Sequence, residues 1–179
     1  MKPRISLETL SNIAVLVACV WAGYALYNRP AAASPPPAPT RPTYAIGDAS
    51  EIQGLDYSAA DATVVLFVRK SCQFCTASMP FYNRLTTKWP RGREARHVQF
   101  VVITTDDDAT AATYLSTFDV SVDVLRANER PPNKVFATPT VLIVAADGRV
   151  RGAWTGQLSE AGEAEVVATL ESLVGSRVS

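Results

Sequence analysis

From Tyr44 to the C-terminus, hydrophobic positions follow two periods. Short apolar blocks at Val64–Val68, Val98–Thr104 and Thr140–Val144 are rich in β-branched residues and read as strands buried on both faces. Between them the spacing lengthens to that of helices. Cys72 to about Lys88 reads as a helix interrupted by Pro80, and Asp106, Asp107 and Asp108 supply N-cap and first-turn charge for a helix reaching about Phe118. Asp147-Gly148 is a tight-turn signal leading into a strand at Val150–Trp154. Ser159 opens a last helix carrying Val166, Val167, Leu170 and Leu173 on one face. The order is β-α-β-α, a β-hairpin and a closing α. A polar excursion from Phe118 to Phe136 holds one candidate short strand, Val122–Leu125.

The N-terminal pattern is different. Leu10 to Tyr27 is a nearly unbroken apolar run without charge, about 27 Å long as a helix and close to a bilayer's hydrocarbon thickness. Lys2 and Arg4 precede it, which keeps the short N-terminal side cytoplasmic, and Trp21, Tyr24 and Tyr27 sit where aromatic rings favour the far interface. This predicts a cytoplasmic N-terminus at 1–9, a transmembrane signal anchor at 10–28, a Pro/Ala-rich polyproline-II spacer at 29–43 and a folded domain at 44–179. Two alternatives place the domain in the same compartment. Ala31-Ala32-Ala33 offers a small-residue cleavage site, and Leu16-Val17-Ala18-Cys19 has the form of a lipidation motif, although the chain stays apolar beyond Cys19. The expected location is the inner membrane, single-pass, with the domain facing the periplasm or an equivalent extracytoplasmic space. The lipid bilayer is then a partner.

Charge narrows the function. The 179 residues carry 17 Lys and Arg against 17 Asp and Glu, so nothing supports nucleic acid as a partner. Arg84, Lys88, Arg91, Arg93 and Arg96 fall on a helix end and the following loop, where cations suit the helix dipole. They read as a solvated terminus.

There are three cysteines, too few for a disulfide-stapled scaffold. Cys72-Gln73-Phe74-Cys75 follows a buried strand and opens a helix. The first sulfur then meets unpaired N–H groups and the dipole, which stabilise a thiolate, and the second lies one turn in, near enough to close a disulfide. Cys72 is the expected nucleophile and Cys75 the resolving thiol. Arg69 and Lys70 just upstream add positive charge that favours the Cys72 thiolate. A structural zinc site would need two further ligands, and the chain has no second CxxC and a single histidine, His97. No metal or cofactor is expected.

At these residues the chain resembles the thioredoxin superfamily. Cys72-Gln73-Phe74-Cys75-Thr76-Ala77-Ser78-Met79-Pro80 is similar to the active-site helix of thioredoxins, with proline at the same offset. Ala137-Thr138-Pro139-Thr140 resembles the segment that carries their cis-proline, and Asp147-Gly148 followed by Trp154-Thr155-Gly156 resembles the next hairpin. The resemblance implies a thioredoxin-like α/β fold, a central mixed sheet flanked by helices, over about Ile46 to Val174. It implies a cis Pro139 packed beside the disulfide, and a Thr138 main chain free to pair with an extended substrate. The apolar leader, Ile46-Gly47-Asp48, Met79-Pro80 and the extra middle segment look most like membrane-anchored TlpA/ResA-type proteins. Many of these reduce disulfides in exported clients such as apocytochromes c. That implies protein thiol and disulfide substrates, and an electron donor or acceptor in the membrane.

The chain departs from the pattern at three points. The buried acid of thioredoxins, which assists the resolving cysteine, is matched by Leu66; the usual Trp before the first cysteine is Ser71; and Gln73-Phe74 replaces Gly-Pro. Because the intervening pair tunes redox potential, the direction of electron flow stays open. Two other activities have been built on related folds. A thiol peroxidase would place Thr where Arg69 stands, and a copper-binding chaperone, not an enzyme, would space its cysteines by three residues and add a later histidine.

Overall fold

The computed structural model describes residues 15–21, 24, 43–89 and 98–175. The chain divides into two units, Met1–Thr40 and Arg41–Ser179. In the first unit, residues 15–21 and 24 are helical and exposed. Most of the span expected at 10–28, the spacer up to Pro42, and Arg91, Arg93, Arg96 and His97 lie outside the described residues. Among those described, no helix is long and apolar enough to cross a membrane.

The second unit is built on five strands: β1 (Ala62–Phe67), β2 (Val98–Ile103), β3 (Val124–Arg126), β4 (Thr140–Ala145) and β5 (Val150–Thr155). Their spatial order is β3-β2-β1-β4-β5. β1 pairs parallel with β2, and β2 parallel with β3, whereas β4 runs antiparallel to both β1 and β5. The expected mixed sheet is therefore present. Every residue of β1 and β4 is buried, as their unbroken apolar runs require of central strands. The candidate strand at Val122–Leu125 forms two residues later, as the short edge strand β3.

Three helices complete the unit: α1 (Gln73–Lys88), α2 (Asp108–Thr117) and α3 (Glu160–Gly175). Pro80 does not interrupt α1, contrary to the sequence pattern. A proline removes the N–H that would serve the carbonyl four residues back, and here both Thr76 and Pro80 are exposed, so water can take that role. The N-cap of α2 is Asp107, whose carboxylate accepts from Thr110 N–H at 2.9 Å.

The sheet's two faces are covered differently. On one, Val64, Leu66, Phe100, Val102, Val141 and Ile143 pack with Cys75, Met79 and Tyr82 of α1, Tyr114 and Leu115 of α2, and Val166 and Leu170 of α3. On the other, Val65, Phe67, Val101, Ile103, Leu142 and Val144 are covered by Tyr44, Ile52, Leu55, Tyr57 and Val135, from segments without long helix. That covering strap is tied down by polar contacts. Lys134 Nζ meets Asp48 at 2.8 Å and lies 5.2 Å from the Tyr44 ring centre, Arg149 donates to Gly47 O, and Arg126 donates to Gln53 O. Arg84 and Lys88 are exposed at the end of α1, as expected, and also make ion pairs. They pair across to Glu163 and Glu171 of α3, each at 2.6 Å.

Candidate active site at the start of helix α1

The C-terminal ends of β1 and β2 and the entry to β4 converge on the first turn of α1. Cys72 is its N-cap, in extended conformation, and its sulfur accepts from Cys75 N–H at 3.2 Å. The approach is a tight turn, closed by Cys72 N–H donating to Arg69 O at 3.1 Å. Across the site the Thr138–Pro139 peptide is cis, as the resemblance implied, and Pro139 is buried. The Cys72 thiol donates to Thr138 O at 3.3 Å.

The two sulfurs have unlike surroundings. Cys72 is half-buried, whereas Cys75 is completely inaccessible within the apolar cluster of Leu66, Met79 and Val141. Both are free thiols. Burial works against ionisation of Cys72, but hydrogen bonds from the Cys75 thiol, from the Thr138 side chain and from the N–H groups of Cys75 and Phe74 outweigh it. The Cys72 pKa is held below the ordinary thiol value. The contact with Thr138 O requires the protonated thiol and is given up on ionisation; the hydroxyl of the same residue favours the thiolate. Burial, and its role as donor to Cys72, push the Cys75 thiol up to about 12. The arrangement favours ionisation of one sulfur relative to an ordinary thiol and keeps its partner protonated.

The structure places the remaining expected residues around this pair. Arg69, Lys70 and Gln73 are exposed on the approach turn and the first helical turn. Phe74 is 52 % exposed and Phe136 42 %, so two aromatic rings are presented to solvent, one beside the cysteines on α1 and one just ahead of Thr138. A groove of about 210 Å³ runs past Thr138, lined by Val68, Arg69, Thr104, Val135, Phe136 and other residues. Leu66 is buried in the Cys75 cluster and offers no proton acceptor. Hydroxyl groups lie in the region instead. Tyr82, held above its ordinary pKa by burial and bonded to Ser78, is on α1, and Tyr114 bonds Thr76 at 3.0 Å. Among the described residues no group of three or more His, Cys, Asp or Glu is placed to hold a metal ion.

One residue of the site was not singled out by the sequence. Asp106 accepts from Lys70 N–H at 2.7 Å and from the Thr104 hydroxyl at 3.1 Å. The signal lay in the strand register: Phe67 pairs with Ile103, so Lys70 and Asp106 both stand three residues beyond a matched parallel pair.

No family model matches the chain, and no curated protein matches it in sequence. Solved structures do match its fold. A candidate DsbE-type thiol:disulfide interchange protein from Chlorobium tepidum superposes with a TM-score of 0.58 at 17% identity, covering 74% of this chain and 100% of its own. A thiol-disulfide isomerase from Corynebacterium glutamicum gives 0.52 at 15% identity, over 75% and 97%. A secreted disulfide oxidoreductase from Mycobacterium tuberculosis, homologous to E. coli DsbE, gives 0.50 at 18%, over 64% and 84%. The fold is thioredoxin-like.

Proposed function

We propose that this chain is an extracytoplasmic thiol–disulfide oxidoreductase, held at the inner membrane by its N-terminal apolar run, that reduces disulfides in exported proteins through Cys72 and Cys75. The observation that carries this reading is the contrast between a half-exposed sulfur at a helix N-terminus, its pKa lowered, and a fully buried sulfur one turn below it. The similarity in fold to proteins described as thiol:disulfide interchange proteins supports it. The location rests on the Leu10–Tyr27 run and the charges before it. The reducing direction, with apocytochromes c among the clients, rests on the TlpA/ResA resemblance.

In the forward step the Cys72 thiolate attacks a client disulfide. A Cys72–client disulfide forms, and the client's other sulfur leaves as a thiolate that takes up a proton. Cys75 then loses its proton and attacks Cys72 Sγ, closing the Cys72–Cys75 disulfide and releasing the second client thiolate, which is protonated in turn. Two electrons have passed from the protein to the client. A membrane dithiol donor returns them by the same exchange in reverse. A client strand laid along Thr138 would bring its disulfide to Cys72, with Phe74, Phe136 and the adjacent groove meeting neighbouring side chains.

A Cys75→Ser variant expressed in its native host tests the proposal. The expected result is a set of client adducts joined through Cys72, dissolved by reductant and recovered with the membrane fraction. Rapid consumption of hydrogen peroxide with no adduct would overturn it in favour of a thiol peroxidase, and recovery of adducts only from the cytoplasm would overturn the location.

A further inference from the structure

We infer that Asp106 is a positioning residue for Cys72, acting through the backbone of the turn that precedes the helix; this rests on the reading of Cys72 as the reactive sulfur. The thiolate-stabilising contacts at Cys72 are short-range and depend on where the N-cap sits relative to the Phe74 and Cys75 N–H groups. That placement is set by the turn Arg69–Cys72, which is closed internally by the Cys72 N–H bond to Arg69 O. Arg69, Lys70 and Ser71 are exposed, so side-chain packing does little to fix them. The Asp106 carboxylate, just beyond β2, fastens the turn by accepting from Lys70 N–H at 2.7 Å, the short distance of a charge-assisted bond.

Asp106 is itself held by three hydrogen bonds with two residues. Its carboxylate accepts from the Thr104 hydroxyl at 3.1 Å, its N–H donates to the same hydroxyl at 3.1 Å, and its carbonyl accepts from Asn128 N–H at 3.0 Å. Thr104 is buried, bonds through its N–H to Arg126 O, and accepts Glu129 N–H on its carbonyl. Asn128 reaches its place with a positive φ of 59°, a conformation asparagine tolerates. The middle excursion of the chain, which a simple β-α-β unit would not need, therefore braces the residue that braces the reactive turn. The other titratable or charged groups near Cys72 are Cys75 and Tyr82 on α1, Tyr114 on α2, and the Arg69 and Lys70 side chains on the turn itself.

Alkylation of Cys72 by iodoacetamide, followed against pH in the reduced full chain carrying Cys19→Ser, separates position from charge. Asp106→Ala removes the acceptor. It is expected to slow alkylation at pH 7 about 5-fold, the worth of one hydrogen bond, and to move the midpoint of the profile upward. Asp106→Asn keeps an acceptor oxygen and loses the charge, and is expected to stay within about twofold of the parent. A faster rate in both variants would overturn the inference, since Asp106 would then act by its charge. So would an unchanged pH midpoint in Asp106→Ala accompanied by lower thermal stability, because the role would then be structural only. If Asp106→Ala does not fold, Thr104→Val removes the hydroxyl that orients the carboxylate. It should move the midpoint in the same direction by a smaller amount, and no movement overturns the inference. A parent chain whose Cys72 titrates as an ordinary thiol would count against the oxidoreductase reading; a low parent midpoint that no variant moves would count against Asp106 alone.

Discussion

The rim of the site and its floor are one helical turn apart, yet they treat the same chemical group in opposite ways. At the rim, Cys72 faces N–H groups of the first turn of α1 and the Thr138 segment, and its pKa is held below the ordinary thiol value. At the floor, Cys75 sits with no solvent access among Leu66, Met79 and Val141, and its neutral form is favoured. Part of the difference comes from the bond between the two thiols, which lowers one pKa and raises the other. The rest comes from a helix beginning soon after a buried strand ends, so that one residue of the motif is still a cap while the next on that face is already core. The asymmetry follows from burial of one sulfur and from the hydrogen bonds that the Cys75 thiol, Thr138 and the first-turn N–H groups give the other.

The largest break in that comparison is chemical. Cys72→Ser should reduce exchange with a disulfide-bonded peptide to the uncatalysed level, while Cys75→Ser should retain the first attack and stall as a mixed disulfide; stopped-flow thiol release and mass spectrometry distinguish the two. If both variants stalled alike, the roles assigned to rim and floor would be wrong.

The floor can be broken without touching either sulfur. Leu66→Ala leaves a cavity in the cluster around Cys75 and should cost about 2–5 kcal/mol in denaturant unfolding. A loss below 1 kcal/mol would mean that this cluster collapses and that Cys75 is less enclosed than its burial indicates.

Alkaline titration sharpens the same contrast. With its thiol raised from near 9 to about 12, folded Cys75 keeps its proton where the unfolded chain loses it. Its contribution to stability is thus fully present below about pH 9 and falls as pH rises from 9 toward 12. Cys72, lowered in the fold, has the opposite sign: its contribution is present above the unfolded thiol pKa and is lost as pH falls through the folded value. Thermal melts of the reduced protein and of Cys75→Ser should therefore diverge above pH 9, with the serine variant losing less. Parallel curves would contradict the buried thiol.

The smallest effects belong to the outer surface. Arg84 and Lys88 reach Glu163 and Glu171 across the α1–α3 surface, but most of these side chains are well exposed. Lys88→Ala should change unfolding free energy by less than about 1 kcal/mol, less so in high salt. A larger loss would indicate that the helix pair depends on its ion pairs and not on Val166 and Leu170 below them.

The rim and floor were legible in the sequence to different degrees. The buried strands and the CxxC helix show themselves locally, through an apolar block followed by cysteines at helical spacing, and the structure places β1, β2, β4 and α1 within a few residues of those signals. Pro80 misled the pattern because a proline rule cannot tell whether water is available to the freed carbonyl. Asp106 was hidden for another reason. Three consecutive aspartates look alike as helix caps, and only the parallel register of β1 with β2 reveals that one caps nothing and holds Lys70 instead. The strap at Tyr44–Tyr57 has no period to detect, because irregular backbone covers the second face through scattered side chains.

The pairing of Cys72 with Cys75 is tested most directly by redox equilibration of the purified chain against a dithiol–disulfide buffer, with both cysteines followed by alkylation and peptide mapping. The expected result is one two-electron couple, an intramolecular Cys72–Cys75 disulfide whose ratio of reduced to oxidised protein changes tenfold per 29.6 mV. Independent adducts on Cys72, with Cys75 still a free thiol at every poise, would contradict it.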